Sequence, residues 1–313
     1  MVIRKFVQGQ DEAIVVDVWN QAHRGEDDFW PDNAEDFRKR EASPWFDAEG
    51  RFIAEWDGQP VGTVAGHVDR NRTDRRGYLF GPSVVPESRR KGIGRKLIAT
   101  ALESLKSRGM ETVLVDVRSD AIPGRTFAES LGFRMVRLSC TMRRDLVQMP
   151  EHVGENQELK VREVRADKED EIRRFHDLFN ETFSEEFDFR QDTLDDTLFY
   201  LSNPVRDSYH HYYYIGWLSE RPVGLITVSK DETQRESPEK EECFMSGLGV
   251  LKSARGHGVG KALMLHGLRH LKDLGANWVE LTVDTLNPTH AMRLYERLGF
   301  KVRRQTLVYE KKL

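Results

Sequence analysis

Apolar and polar residues alternate over 51–56 (RFIAEW) and 60–68 (PVGTVAGHV), and again over 212–218 (YYYIGWL) and 222–229 (PVGLITVS). A period of two predicts paired strands, joined by tight turns such as Asp57-Gly58. Beyond residue 92 the period lengthens. Leu97, Ala101 and Leu105 fall at i, i+4 and i+8, and Leu263, Leu268 and Leu271 play the same part later in the chain, which predicts one buried helix face in each case. Both helices are expected to stop at a glycine just past the end, Gly109 or Gly275. A short strand at 2–7 (VIRKFV) or 159–164 (LKVREV) opens each set, followed by a charged helical region. An apolar strand (TVLVDV, WVELTV), another helix and closing strands complete it. Strands and helices mix without strict alternation, so the expected class is α+β around a mixed sheet flanked by helices.

The pattern occurs twice because the sequence does. GQPVGTV (58–64) is answered by ERPVGLITV (220–228), VVPESRRKGIGRKLI (84–98) by VLKSARGHGVGKALM (250–264), and FAESLGF (127–133) by LYERLGF (294–300). The order is kept and the spacing drifts only as loop insertions allow, which marks a duplicated domain. The 313 residues also suit two domains better than one core. The expected division is 1–146 and 158–313, with 147–157 as a linker in a polar stretch containing Pro150 and Gly154.

Composition narrows the function. Hydrophobic residues make up 38%, without an apolar run of 18 or more, so a membrane span is not expected. The opening MVIRKF lacks the apolar core of a secretory signal, and a cytoplasmic location is expected. Cys140 and Cys243 suggest neither a disulfide framework nor a zinc site. A net charge of -4 gives no general case for nucleic acid, so any anion site must be local.

Such a site is suggested by ARGHGVGKAL (254–263), where Gly256, Gly258 and Gly260 precede a helical run at a cost of roughly 1 kcal/mol per helical glycine. A helix N-terminus offers unpaired N–H groups and a partial positive charge, and losing Cβ atoms lets those amides reach an anion. Arg89, Arg90, Lys91, Arg95 and Lys96 surround the first copy of this turn, and Arg255 and Lys261 the second. The P-loop pattern G-x-x-x-x-G-K-[ST] fails, since Gly256 and Gly260 are one residue too close and Ala262 follows Lys261. The dinucleotide pattern fails at Leu263. What remains is [RQ]-x-x-G-x-G, filled by Arg89, Gly92 and Gly94 and by Arg255, Gly258 and Gly260.

With these residues the chain resembles the GNAT superfamily of acyl-CoA-dependent N-acyltransferases, and its double layout is similar to tandem acetyltransferases of the mycothiol synthase type. The resemblance covers nearly the whole chain. It implies that Arg255, Gly256, His257, Gly258, Val259, Gly260 and Lys261 cradle the diphosphate of acetyl-CoA, with Arg89, Arg90, Lys91, Gly92, Ile93, Gly94 and Arg95 as their counterparts. It also implies backbone contacts to the pantetheine arm from Leu248, Val250 and Leu251, and from Ser83, Val84 and Val85 in the first copy. Tyr295 matches the family's general acid and Asn287 its asparagine at the cofactor, whereas the first copy has Ala128 and Asp120 there. The second copy is therefore the expected catalyst. The first binds coenzyme A unproductively, shapes the substrate site, or is scaffold.

The base stays open. Glu242 and Glu280 are the nearest carboxylates, and His210 and His211 are possible relays. The stretch 179–200, where Glu181, Glu185, Glu186 and Asp188 alternate with Phe183, Phe187 and Phe189, could hold a cationic amine or be a wet helix face. The expected reaction is acetyl transfer to a primary amine, with a small molecule as partner and neither metal, nucleic acid nor membrane. A protein N-terminus or lysine as acceptor, and a non-catalytic acyl-CoA sensor, are the alternatives.

Overall fold

A computed structural model describes residues 1–26, 29–147, 149, 158–202, 209–231 and 243–313. The chain forms two compact units, one of residues 1–136 with 307–313, the other of residues 137–306.

The first unit runs β1 (Val2–Lys5), α1 (Glu12–His23), α2 (Ala34–Glu41), β2 (Arg51–Trp56), β3 (Gln59–Val68), β4 (Arg76–Val84), α3 (Ile93–Ser107), β5 (Thr112–Arg118) and α4 (Ile122–Ser130). Strands β1 to β4 are antiparallel neighbours and β4 pairs with β5 in parallel. The hairpin between β2 and β3 turns at Asp57 and Gly58, both at positive φ, as a two-residue turn matched to strand twist requires. Leu97, Ala101 and Leu105 of α3 are wholly buried, and Gly109 ends the helix at positive φ.

The second unit repeats the plan with β7 (Leu159–Glu163), α5 (Glu169–Phe183), α6 (Leu194–Ser202), β8 (Tyr209–Leu218), β9 (Arg221–Asp231), β10 (Cys243–Val250), α7 (Val259–Asp273), β11 (Trp278–Asp284) and α8 (Ala291–Arg297). Its strands lie in the order β7-β8-β9-β10-β11, antiparallel except for the parallel step from β10 to β11. Leu263, Leu268 and Leu271 of α7 are wholly buried. Each such leucine contributes about 1.5–3 kcal/mol by leaving water, and Gly275 again closes the helix. The class is α+β, with the strands of each unit in mixed parallel and antiparallel pairing and flanked by helices.

The compact units and the sequence repeat part company at the last strand. Strand β6 (Arg134–Asp145) pairs with β11 of the second unit from Ser139↔Asp284 to Asp145↔Trp278, burying Cys140 and Met142. Strand β12 (Lys301–Lys312) delivers Leu307, Val308 and Tyr309 to the core of the first unit, beside β5. Each unit is thus completed by residues that the repeat assigns to the other. The interval 147–157 between the repeats lies almost wholly outside the described residues. No helix among the described residues is long and apolar enough to cross a membrane.

Candidate active site

In the second unit, strands β10 and β11 are paired at Phe244↔Glu280 and then separate. From Met245 on one side and Leu281 on the other, both strands line a cleft of about 960 Å³. A register shift between Ser246 and Gly249 puts one extra residue into β10 opposite β9. Such a bulge takes a residue out of the ladder, and here Gly247 and Leu248 border the cleft with it. Helix α5 closes on β10 at Gly249, where a Cβ would stand 2.2 Å from the Thr182 hydroxyl oxygen. Only glycine permits that approach.

At the other end, Gly256 and Gly258 both adopt positive φ, and Gly258 caps α7 with open space where a side chain would begin. The amides of the first turn of α7 are therefore uncovered toward the cleft. Arg255 is less a free cation than a brace. Its Nε donates to the Val250 carbonyl at 3.1 Å, and its guanidinium pairs with Glu185, as does Lys252. Arg89 braces the first copy in the same way, through the Val84 carbonyl at 3.0 Å. Lys261, Arg293 and Arg297 line the cleft and form no ion pair among the described residues, which leaves this end cationic.

Of the residues named for the second copy, Leu248, Val250, Arg255, Gly256, Gly258, Val259, Gly260, Lys261, Asn287 and Tyr295 all lie on this cleft. Two stand elsewhere. Leu251 donates its N–H to Val223 and packs beside the cluster around Val164 and Phe175. His257 points its ring back to the Arg255 carbonyl, 2.9 Å from Nδ1.

Tyr295, on α8, is 8% exposed, and its hydroxyl has no hydrogen-bond partner among the described residues. Burial, with the charge of Glu186 added, pushes its pKa up to about 12, so the phenol keeps its proton throughout the neutral range. Asn287 is doubly engaged. Its Oδ1 accepts from the Thr289 N–H at 2.8 Å, while its Nδ2 donates to Glu186 Oε1 at 2.7 Å.

Glu186 is the carboxylate that sequence reasoning did not single out as a base. It lies on the cleft, and burial, reinforced by the like charge of Asp284, raises its pKa despite the bond from Asn287. The signal available was only a strand of acids between phenylalanines; nothing local says which acid turns inward. Glu280, by contrast, is buried between Arg143 and Arg303, 2.9 Å from each, and does not line the cleft. A carboxylate held by two guanidiniums is a structural anchor, which removes Glu280 as a base. Glu242 lies outside the described residues. His210 and His211 open β8 and do not line the cleft.

The first copy parts its strands at the same place, after Tyr78↔Leu114, but lines the gap differently. Its β4 has the matching bulge, between Phe80 and Ser83, but Pro82 occupies the place of Leu248 and brings no N–H. Ala128 is buried at the place of Tyr295. Val85 and Ile93 are buried core residues, Lys91 sits over the Trp56 ring and Arg95 over the Phe127 ring. A Cβ on Gly94 would meet Pro82 at 3.4 Å and Phe127 at 3.7 Å, ordinary contacts close to those of 3.6 Å at Gly260, so the loop formed by Val84, Arg89, Arg90, Gly92 and Gly94 is bordered by side chains much as its counterpart is.

The model of the acetyltransferase (GNAT) family matches residues 19–133 and 172–300. The chain is 34% identical over 133 residues to the mycothiol acetyltransferase of Thermomonospora curvata, a match covering 42% of this chain and 44% of that protein. With the mycothiol acetyltransferase of Saccharomonospora viridis the figures are 33% over 144 residues, 43% and 46%. The match thus spans less than half the length of these curated relatives. The fold as a whole is similar to a tandem GNAT protein from the clavulanic acid biosynthesis pathway, with a TM-score of 0.78 at 17% identity over 99% of this chain and 98% of that one. It is also similar to a GCN5-related N-acetyltransferase from Sphaerobacter thermophilus, with a TM-score of 0.71 at 22% identity over 99% and 95%. Matched in both of its halves and over more than half of its length, the chain belongs to the acetyltransferase (GNAT) family.

Proposed function

We propose that the second unit transfers an acetyl group from acetyl-CoA to a primary amine of a small molecule, by direct attack in one ternary complex. The observation that carries this reading is the single cleft on which an uncovered helix N-terminus, parted strands, a protonated phenol and a carboxylate of raised pKa all lie. The amides at Gly258 to Gly260, with Lys261, would hold the diphosphate. Backbone groups of Leu248 and Val250 would hold the amide-bearing arm, and the Leu248 N–H would face the charge that develops on the thioester oxygen. Acetyl-CoA supplies the activated acyl group. Glu186 takes a proton from the incoming ammonium, freeing the nitrogen lone pair to form the N–C bond. Tyr295 gives its proton to the sulfur as the C–S bond breaks, and the second proton of the acylated nitrogen returns to the tyrosinate as the amide forms. A phenol near pKa 12 is a weaker acid than a thiol of about 8.5, so its donation belongs to the moment when negative charge reaches the sulfur. Arg255 acts as a positioning residue by fixing the loop to Val250.

A small acceptor is supported by the names of the relatives, mycothiol acetyltransferases. The test is incubation with acetyl-CoA and a panel of amines and peptides, following thiol release. Release that depends on a small amine is expected. Release with peptides only would move the acceptor to protein, and coenzyme A binding without release by any amine would make the protein a sensor.

A further inference from the structure

The first unit has a cavity of its own, about 250 Å³, framed by α1, α2 and strands β2 to β4, and no residue of the glycine loop borders it. On its wall stands Arg51, the first residue of β2. The guanidinium lies 5.4 Å from the ring centre of Phe37 and 4.7 Å from that of Phe46, and its Nε is buried without a hydrogen-bond partner. Among the described residues Arg51 makes no ion pair. Ring faces offset part of its charge, but they do not receive the N–H donors in the guanidinium plane, and arginine does not shed its proton. Burial accordingly pulls its pKa below the usual value.

The remaining charges on the wall are a matched pair, Arg40 bonded to Asp32. Glu41 and Asp47 lie near enough to favour the charge of Arg51, but neither forms an ion pair with it among the described residues and Asp47 is bonded to Arg108, so the guanidinium donors of Arg51 stay unmatched. A monoanion meets those donors with less charge to compensate beside the two carboxylates than a dianion would bring. Near by, the Thr63 hydroxyl has no hydrogen-bond partner among the described residues, and the rest of the floor is apolar. At the mouth two large aromatic side chains are left in the open, Trp19 at 40% exposure and Phe80 at 58%. The volume suits roughly eight water-sized groups.

We infer that this cavity binds a small aromatic carboxylate, its carboxylate on the in-plane donors of Arg51 and its ring against Trp19 and Phe80. The site is separate from acyl transfer. The unit that carries it has Pro82 and Ala128 in place of the groups proposed for chemistry, yet it keeps a charged, partly open chamber lined in part by Phe80, Gly81 and Ser83 of its bulge.

Benzoate titrated into the full-length protein by calorimetry tests the inference, with benzamide as the neutral isostere. Saturable one-to-one binding of benzoate is expected, weaker by about tenfold or more for benzamide and for Arg51→Met, since a charge-assisted fork is lost in both. Trp19→Ala, at an exposed side chain, should weaken it several-fold while leaving the melting temperature near that of the parent, and carries the test if Arg51→Met does not fold. No saturable binding, equal binding of benzamide, or parental affinity in both variants would overturn the site. So would inorganic phosphate binding more tightly than benzoate. Loss of benzoate in Gly258→Glu but not in Trp19→Ala would place it in the cleft of the second unit and equally end the inference.

Discussion

Tyr295 and Glu186 divide the proton work of the proposed reaction, and their environments make the division testable. Tyr295→Phe keeps the ring in its socket against Phe300 and deletes the hydroxyl. Turnover should fall on the order of a hundredfold, with KM for acetyl-CoA little changed, the signature of an interaction made only in the transition state. Unchanged turnover would take the acid role from Tyr295. Glu186 must be ionised to accept a proton, and its pKa lies above the ordinary carboxylate range. kcat/KM should therefore rise with pH through that raised pKa. Because the phenol stays protonated to about pH 12, no falling limb from Tyr295 is expected at milder alkalinity. Glu186→Gln should abolish the rising limb; a limb that persists belongs to another group, such as the amine itself. Tyr295 was singled out because the chain resembles the GNAT acyltransferases, whose general acid it matches; the repeat added only that the other copy has alanine there. Glu186 was not, because its importance comes from a bond across 101 residues to Asn287.

At the scale of elements, the glycine turn and the bulged strand before it form one device. Gly258 and Gly92 cap their helices with the same φ of 79°. An alanine at either costs about 1–2 kcal/mol of backbone strain. The functional expectations differ. Gly258→Ala should weaken coenzyme A binding about tenfold or more by calorimetry, because a methyl group then intrudes on the proposed diphosphate site, whereas Gly92→Ala should lower the melting temperature and leave turnover alone. Equal loss of turnover from both would give the first loop a share in catalysis. Helices α3 and α7, their terminal glycines and the hairpin turns could all be read from period and turn chemistry, since each depends on residues within a few positions. The parting of β10 from β11 is a relation between strands that no local pattern encodes, and only the family resemblance pointed to it, through the backbone contacts it implies at Leu248 and Val250. Pro82 was visible as a residue, but its consequence, a missing N–H at the bulge, needs the register with β3 to be known.

For the molecule as a whole, the traded last strands matter most. Tyr309 is 1% exposed in the first unit, its hydroxyl donating to Glu129 at 2.9 Å, and Lys311 bonds the Leu131 carbonyl. Tyr309→Ala should cost about 3–5 kcal/mol, like other large aromatic truncations, and hydrogen exchange should quicken across residues 1–136 more than across α5 to β11. The opposite distribution would assign the strand elsewhere. The duplication itself was plain in the sequence, but its boundaries were not. RMVRLSCTMRRD and KVRRQTLVYEKK are sister strands with the same alternation, and either pattern suits either sheet. The same likeness bears on how the gene could be divided. A half-length product ending after the first repeat would leave β5 as a bare border, and bare borders recruit strands. That product and its complement, the second repeat alone, made together in one cell should find each other and rebuild both units without a covalent join.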